Sequence, residues 1–217
     1  MADIVFQGGQ SVVFIGDSIT DCGRRDVAPP YGEGYVRFII DAIEKRHPDR
    51  GIAWENRGIG GDTTLELEAR WEDDALALTP DWLSCMIGIN DLHQSLDGRE
   101  GLTPAEYKVT LERLLEAQVM AAGSRLILLD PFYMAVPPGG NDGERAVLGV
   151  LPDYIAAVAD LAEAFSAIHV RTQDAFQKVL QNTPQSAICE EPVHPNARGH
   201  HVIADAFLAA IADGGGS

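Results

Sequence analysis

Five residues of this chain are of the types that acyl transfer requires, and their surroundings say how they could meet. Gly16-Asp17-Ser18-Ile19 directly follows the apolar run Val12-Val13-Phe14-Ile15. A buried strand ending in a small polar turn delivers a serine to the carboxyl edge of a sheet, where open α/β sheets bind their ligands. A serine hydroxyl is a poor nucleophile until an imidazole takes its proton. The imidazole in turn needs a carboxylate on its other nitrogen, to fix the tautomer and stabilise the imidazolium. Glu191-Pro192-Val193-His194-Pro195, near the far end of the chain, offers both groups. The tetrahedral intermediate also needs donors aimed at its oxyanion. Gly61 lets a backbone N–H approach a substrate closely, Asn90 carries a neutral side-chain donor, and the Ser18 N–H is a third.

Strand and helix signals alternate along the chain. Strands are predicted at Val12–Ile15, Ile52–Glu55, Trp82–Ile87, Leu126–Leu129 and Ile168–Val170. Helices are predicted at Tyr35–Arg46, Thr63–Leu78, Pro104–Ala122 and Pro152–Phe165, with a short one over 174–181 and a last one from Asn196 or Ala197 to about Ile211. Pro104 and Pro152 are placed at first helical positions, and Gly123 just past a helix end. Such βα alternation implies a parallel sheet covered by helices on both faces. Ser18, the segment Asn56–Asp62 and Gly88-Ile89-Asn90-Asp91 then follow the first three strands. Two long connections, Leu92–Gly101 and Phe132–Gly143, should overhang the same edge.

Other polar residues read more simply as structure. Asp17 bonds the turn, and Asp91 stabilises a loop. Cys85, Trp71 and Trp82 read as packing, although a tryptophan could also stack on a sugar. His93 fits either a substrate contact or a solvated surface, whereas His200 and His201 belong to the last helix. Glu190 is a second carboxylate beside His194, on a side chain that should point away. The six histidines show no ligand spacing, so no metal is expected. Gly58-Ile59-Gly60-Gly61 lacks the GxGxxG spacing of a nucleotide cradle, so no cofactor is expected either.

Through these residues the sequence resembles the SGNH hydrolases of the GDSL esterase/lipase family. The resemblance rests on Gly16-Asp17-Ser18-Ile19-Thr20, Gly60-Gly61-Asp62-Thr63-Thr64, Gly88-Ile89-Asn90-Asp91 and Val193-His194-Pro195-Asn196, which appear in the family's order. It implies a three-layer αβα sandwich around a five-stranded parallel sheet. It also implies Ser18 as nucleophile, His194 as base, and Gly61 and Asn90 completing the oxyanion hole. Within the family the chain looks most like the intracellular acetyl xylan esterases, through Asp21-Cys22-Gly23-Arg24, Gly34-Tyr35-Val36, Ala69-Arg70-Trp71-Glu72, Pro80-Asp81-Trp82 and Met86-Ile87. That likeness implies removal of acetyl groups from xylo-oligosaccharides and a homo-oligomer. One departure stands out: the family usually has aspartate three residues before the histidine, and here Glu191 takes that place, giving an expected Ser-His-Glu triad.

Composition bounds the remaining possibilities. At 217 residues the chain is expected to be one hydrolase domain over 1–213, followed by a flexible tail or cloning remnant over 214–217. A net charge of −17 argues against nucleic acid and anionic lipid surfaces, and leaves neutral substrates such as acylated carbohydrates unpenalised. The apolar runs fall short of the roughly 18–20 residues of a membrane span, and no secretory signal is visible. Three cysteines without CxxC spacing fit a reducing compartment, so a cytoplasmic protein is expected.

Overall fold

The computed structural model describes residues 4–137 and 139–213, with only the backbone at Asp213, so the expected tail at 214–217 lies outside the described residues. Five strands, β1 (Ser11–Gly16), β2 (Ala53–Gly58), β3 (Trp82–Met86), β4 (Arg125–Leu129) and β5 (Ile168–Val170), form one sheet of order β2-β1-β3-β4-β5. Every neighbouring pair is parallel. Val12 to Gly16 and all of β3 are buried, as expected of strands covered on both faces. Chain order reverses at β1, because β2 lies on one side of it and β3 on the other. This is the topological switch point, where a crevice opens beyond the carboxyl ends of β1 and β3.

The helices pack in two groups, completing the αβα sandwich. α2 (Tyr35–Arg46) and α8 (Thr172–Leu180) both pack against α9 (Ala197–Asp213). α3 (Thr64–Ala69), α5 (Ile89–Leu96), α6 (Pro104–Ala122) and α7 (Asp142–Ala164) form the other group. α1 (Ser18–Asp21) and α4 (Trp71–Asp74) are single turns. Aromatic side chains bind the sheet to its cover: Phe14 stacks near Trp54 with centroids 6.3 Å apart and meets Phe207 of α9 at 5.7 Å. No described helix is long and apolar enough to cross a membrane.

Four elements differ from expectation. β2 runs on to Gly58, so Asn56 and Arg57 belong to the strand rather than to the loop after it. The helix expected over Thr63–Leu78 is broken into α3, α4 and a 3₁₀ turn at Leu76–Leu78, with non-helical Arg70 at the first break. Much of the expected Leu92–Gly101 connection is helical, as the end of α5. α7 starts ten residues before Pro152, because Asn141 caps it by accepting a hydrogen bond from Glu144 N at 2.9 Å. Pro152 lies inside α7 and removes one helical hydrogen bond, which burial of Leu151, Tyr154, Val158 and Leu161 offsets.

Candidate active site

Ser18 is the first residue of α1, two positions beyond the end of β1. Asp17 caps this turn by accepting from Ile19 N at 3.0 Å. Burial pushes the Asp17 carboxyl up to about 7, with the charges of Asp91 and Asp62 adding to the effect and the Ile19 N–H opposing it. α1 lies directly on the end of β2: a Cβ built on Gly58 would stand 2.2 Å from Asp21 N, so only glycine fits there. Asn56, buried on β2, donates to Thr20 O at 2.7 Å and to Tyr31 O at 2.8 Å, and accepts from Gly58 N at 2.9 Å. The nucleophile turn is thus fixed by the adjacent strand as well as by its own helix. Asn56 is a positioning residue that the sequence reading missed. Its signal was a polar side chain at an inward position of an alternating strand.

His194 faces this serine, with Nε2 2.9 Å from Ser18 Oγ. On the other side of the ring, Nδ1 is hydrogen-bonded to Glu191 Oε1. A carboxylate can only accept, so Nδ1 carries the proton and Nε2 is left as acceptor for the serine hydroxyl. The same carboxylate accepts from Val193 N at 2.9 Å and His194 N at 2.7 Å. Burial pushes the Glu191 carboxyl up, but these two backbone donors and the His194 ring outweigh it and hold it below the usual range. The extra methylene of glutamate is absorbed by this local turn. The His194 and Glu191 side chains are 60% and 50% exposed, so their pairing adds little stability, and its effect is to orient the ring. Glu190 is exposed and makes none of these contacts.

Two further segments reach the same edge. Gly61 follows β2 with φ +88°, a conformation suited to glycine, and its Cα faces open space. Asn90, in the first turn of α5, donates through Nδ2 to Asp62 O at 2.9 Å. That bond fixes the amide and uses one of its two N–H groups. Asp91 accepts from Thr64 N through both carboxylate oxygens, at 3.0 and 3.2 Å, and so ties the start of α3 to α5. Burial pushes Asp91 up to about 6 against these bonds. Among the described residues, neither Ser18 N nor Gly61 N has a hydrogen-bond acceptor.

The remaining candidates other than His93 are structural. Trp71, Trp82 and Cys85 are buried in the core. His200 accepts from Tyr35 N at 3.2 Å, and burial pushes it down to about 4, so it is a neutral core imidazole. His201 stacks on Phe38 at 4.0 Å. His93 is half-buried against the edge of Tyr133, with ring centroids 5.9 Å apart.

Serine, imidazole and carboxylate in hydrogen-bonded series at the switch point can perform nucleophilic acyl transfer. Comparison with known proteins agrees. Residues 14–202 match the GDSL-like Lipase/Acylhydrolase family. The chain belongs to this family. It is a carboxylic ester hydrolase with a five-stranded SGNH hydrolase fold. It is 38% identical to an acetylxylan esterase of Geobacillus stearothermophilus, over 94% of each chain. The crystal structure of Axe2, an acetylxylan esterase from the same organism, superposes with a TM-score of 0.85 at 36% identity, covering 94% of this chain and 95% of that one. LAE5, an alpha/beta hydrolase from the metagenome of Lake Arreo, superposes with a TM-score of 0.86 at 33% identity, over 96% of this chain and 98% of its own. Catalytic mutants of Axe2 replace an aspartate, a serine or a histidine by alanine.

Proposed function

We propose that this GDSL-family esterase removes acetyl groups from acetylated xylo-oligosaccharides through a Ser-His-Glu triad and a covalent acyl-enzyme. The observation that carries this reading is the continuous series from Ser18 Oγ through His194, with Nε2 at 2.9 Å, to the Glu191 carboxylate. Ser18 Oγ attacks the ester carbonyl as His194 Nε2 takes its proton. The tetrahedral oxyanion is held by Ser18 N–H, Gly61 N–H and the free N–H of the Asn90 amide. His194 then protonates the departing sugar hydroxyl. A water, deprotonated by the same imidazole, releases acetate from Ser18. Glu191 stays ionised, fixes the tautomer and stabilises the imidazolium. The acetyl and xylan preferences are supported by likeness to the Geobacillus enzymes. The formal charge of −17 favours a neutral glycan over an anionic lipid interface.

The test is acetate release from acetylated xylo-oligosaccharides by the wild-type protein and by Ser18→Ala. Release that vanishes in the variant supports both the serine mechanism and the substrate class. No release by folded wild-type protein, with hydrolysis of longer acyl esters instead, would replace the deacetylase reading with that of a lipase or thioesterase.

A further inference from the structure

Arg70 interrupts what would otherwise be one helix, and its contacts explain the interruption. With φ −117° and ψ 5° it separates α3 from α4 and makes no side-chain cap for either. Its guanidinium turns back to the carboxyl edge of the sheet and is only 14% exposed. Nη2 donates to Gly16 O at 3.0 Å, at the end of β1 and two residues before Ser18. Nη1 donates to Arg57 O at 2.7 Å, near the end of β2 and ahead of the Gly61 loop, and to Asp74 Oδ2 at 2.8 Å. Nε donates to Asp62 Oδ2 at 2.7 Å, on the residue whose carbonyl holds the Asn90 amide. These contacts engage four of the five guanidinium N–H groups in one fixed plane. A lysine ammonium, with three donors on one nitrogen, cannot reproduce that spread.

We propose that Arg70 is a positioning residue for transition-state stabilisation, setting the relative placement of the Ser18 turn, the Gly61 loop and the Asn90 amide. The inference rests on the reading of Gly61 and Asn90 as oxyanion donors. The bond to Asp74 ends outside the site segments. The three remaining bonds all end on the backbone or side chain of segments that carry candidate site residues. Displacing such donors by a fraction of an ångström weakens the hold on the transition state more than on the bound ester.

The test compares Arg70→Lys with Asp74→Asn, which removes the carboxylate charge facing Arg70 from outside the site. Steady-state hydrolysis of p-nitrophenyl acetate, inhibition by phenylboronic acid and thermal unfolding are measured for each. Phenylboronic acid forms a tetrahedral adduct on a nucleophilic serine, so its affinity reports the oxyanion donors. Arg70→Lys should lower kcat on the order of 10–100-fold with KM within about 3-fold, and boronate affinity should fall in parallel. Asp74→Asn should lower Tm yet keep kcat within about 2-fold. Should Arg70→Lys fail to fold, Asp62→Ala removes the carboxylate that accepts from Arg70 Nε while keeping the carbonyl that holds Asn90, and a fall in kcat with boronate affinity is again expected. The proposal is overturned if folded Arg70→Lys keeps wild-type kcat and boronate affinity, or if both variants lose activity only in proportion to Tm. Asn90→Ala separates the two claims. If it lowers kcat and Arg70→Lys does not, only the Arg70 proposal falls. If Asn90→Ala leaves kcat and boronate affinity unchanged, the oxyanion reading falls and takes the Arg70 proposal with it.

Discussion

Ser18 and His194 face each other across 2.9 Å but are supported in opposite ways. The serine side is built from buried groups. Asp17, Asn56 and the close contact at Gly58 hold α1 against two strand ends, and Thr20 Oγ1 meets the buried Tyr35 hydroxyl at 3.0 Å. The histidine side is an exposed loop. It is anchored by an antiparallel bridge between Cys189 and Pro195, by Met134 N donating to Pro192 O at 2.8 Å, and by the Glu191 carboxylate folded back onto its own turn. The contrast teaches that one half of the site is positioned by the fold, and the other by a few local polar contacts. Damage to the first half should appear in stability and activity together. Damage to the second should appear in activity nearly alone.

The largest effect belongs to the reacting atoms. Ser18→Ala and His194→Ala should each lower kcat on the order of 10⁴–10⁶-fold, with little change in Tm, measured by initial rates of acetate release. Next comes the orienting carboxylate. Glu191→Gln should lower kcat on the order of 10³–10⁴-fold, while Glu191→Asp, which keeps the charge but shortens the reach, should lose about 10-fold. Both should unfold within about 2 °C of wild type, since the pair they alter is exposed. On the buried side the pattern inverts. Gly58→Ala places a methyl against the α1 backbone and should lower Tm by about 3–10 °C, with an accompanying loss of kcat as Ser18 shifts.

The smallest and most specific effect concerns pH. The buried Asp17 carboxyl is raised to about 7 from an unfolded value of 3.8. The folded state therefore holds a proton that the unfolded chain releases. Its contribution to stability is full below the unfolded value and is lost as pH rises through about 7. Asp17→Asn keeps the oxygen that accepts from Ile19 N and removes the charge. The difference in Tm between variant and wild type should therefore grow in the variant's favour between pH 5 and pH 8.5, by about 2–4 °C for each kcal/mol recovered. A difference that stays constant with pH would show Asp17 to be ionised throughout.

The contrast between the two halves also explains what the sequence made legible. Short apolar runs closed by glycine or proline marked the three central strands β1, β3 and β4, because strands buried on both faces must be continuously apolar, whereas β2 and β5 are edge strands read from shorter runs. Ser18, Gly61, Asn90 and His194 were found because each stands in a short motif at a strand end or ahead of a helix. The geometry joins Ser18 to His194 and Asn90 to the Gly61 loop through Asp62 O. Glu191 was legible as a carboxylate at the right spacing, but its grip on two backbone N–H groups belongs to a turn that no periodicity announces. Two misread helices share one cause. The first turns of α7 are helical through the Asn141 cap and α5 through packing against α7, where local punctuation pointed elsewhere, and Pro152 imitated a helix start. The break at Arg70 could not be read from propensity at all, since arginine is a good helix former. It follows from contacts with residues 54 and 13 positions away in the chain.

The most direct test of the central claim is labelling by a fluorophosphonate, followed by peptide mass spectrometry, on wild type, Ser18→Ala and Glu191→Gln. The nucleophile's oxygen forms a bond to phosphorus as fluoride leaves, so the reagent reports an activated serine independently of the natural ester. The account predicts a single adduct on Ser18, none in Ser18→Ala, and labelling in Glu191→Gln slowed along with its esterase activity. An adduct on another residue, no adduct on folded wild-type protein, or an unchanged rate in Glu191→Gln would contradict a Ser18–His194–Glu191 relay.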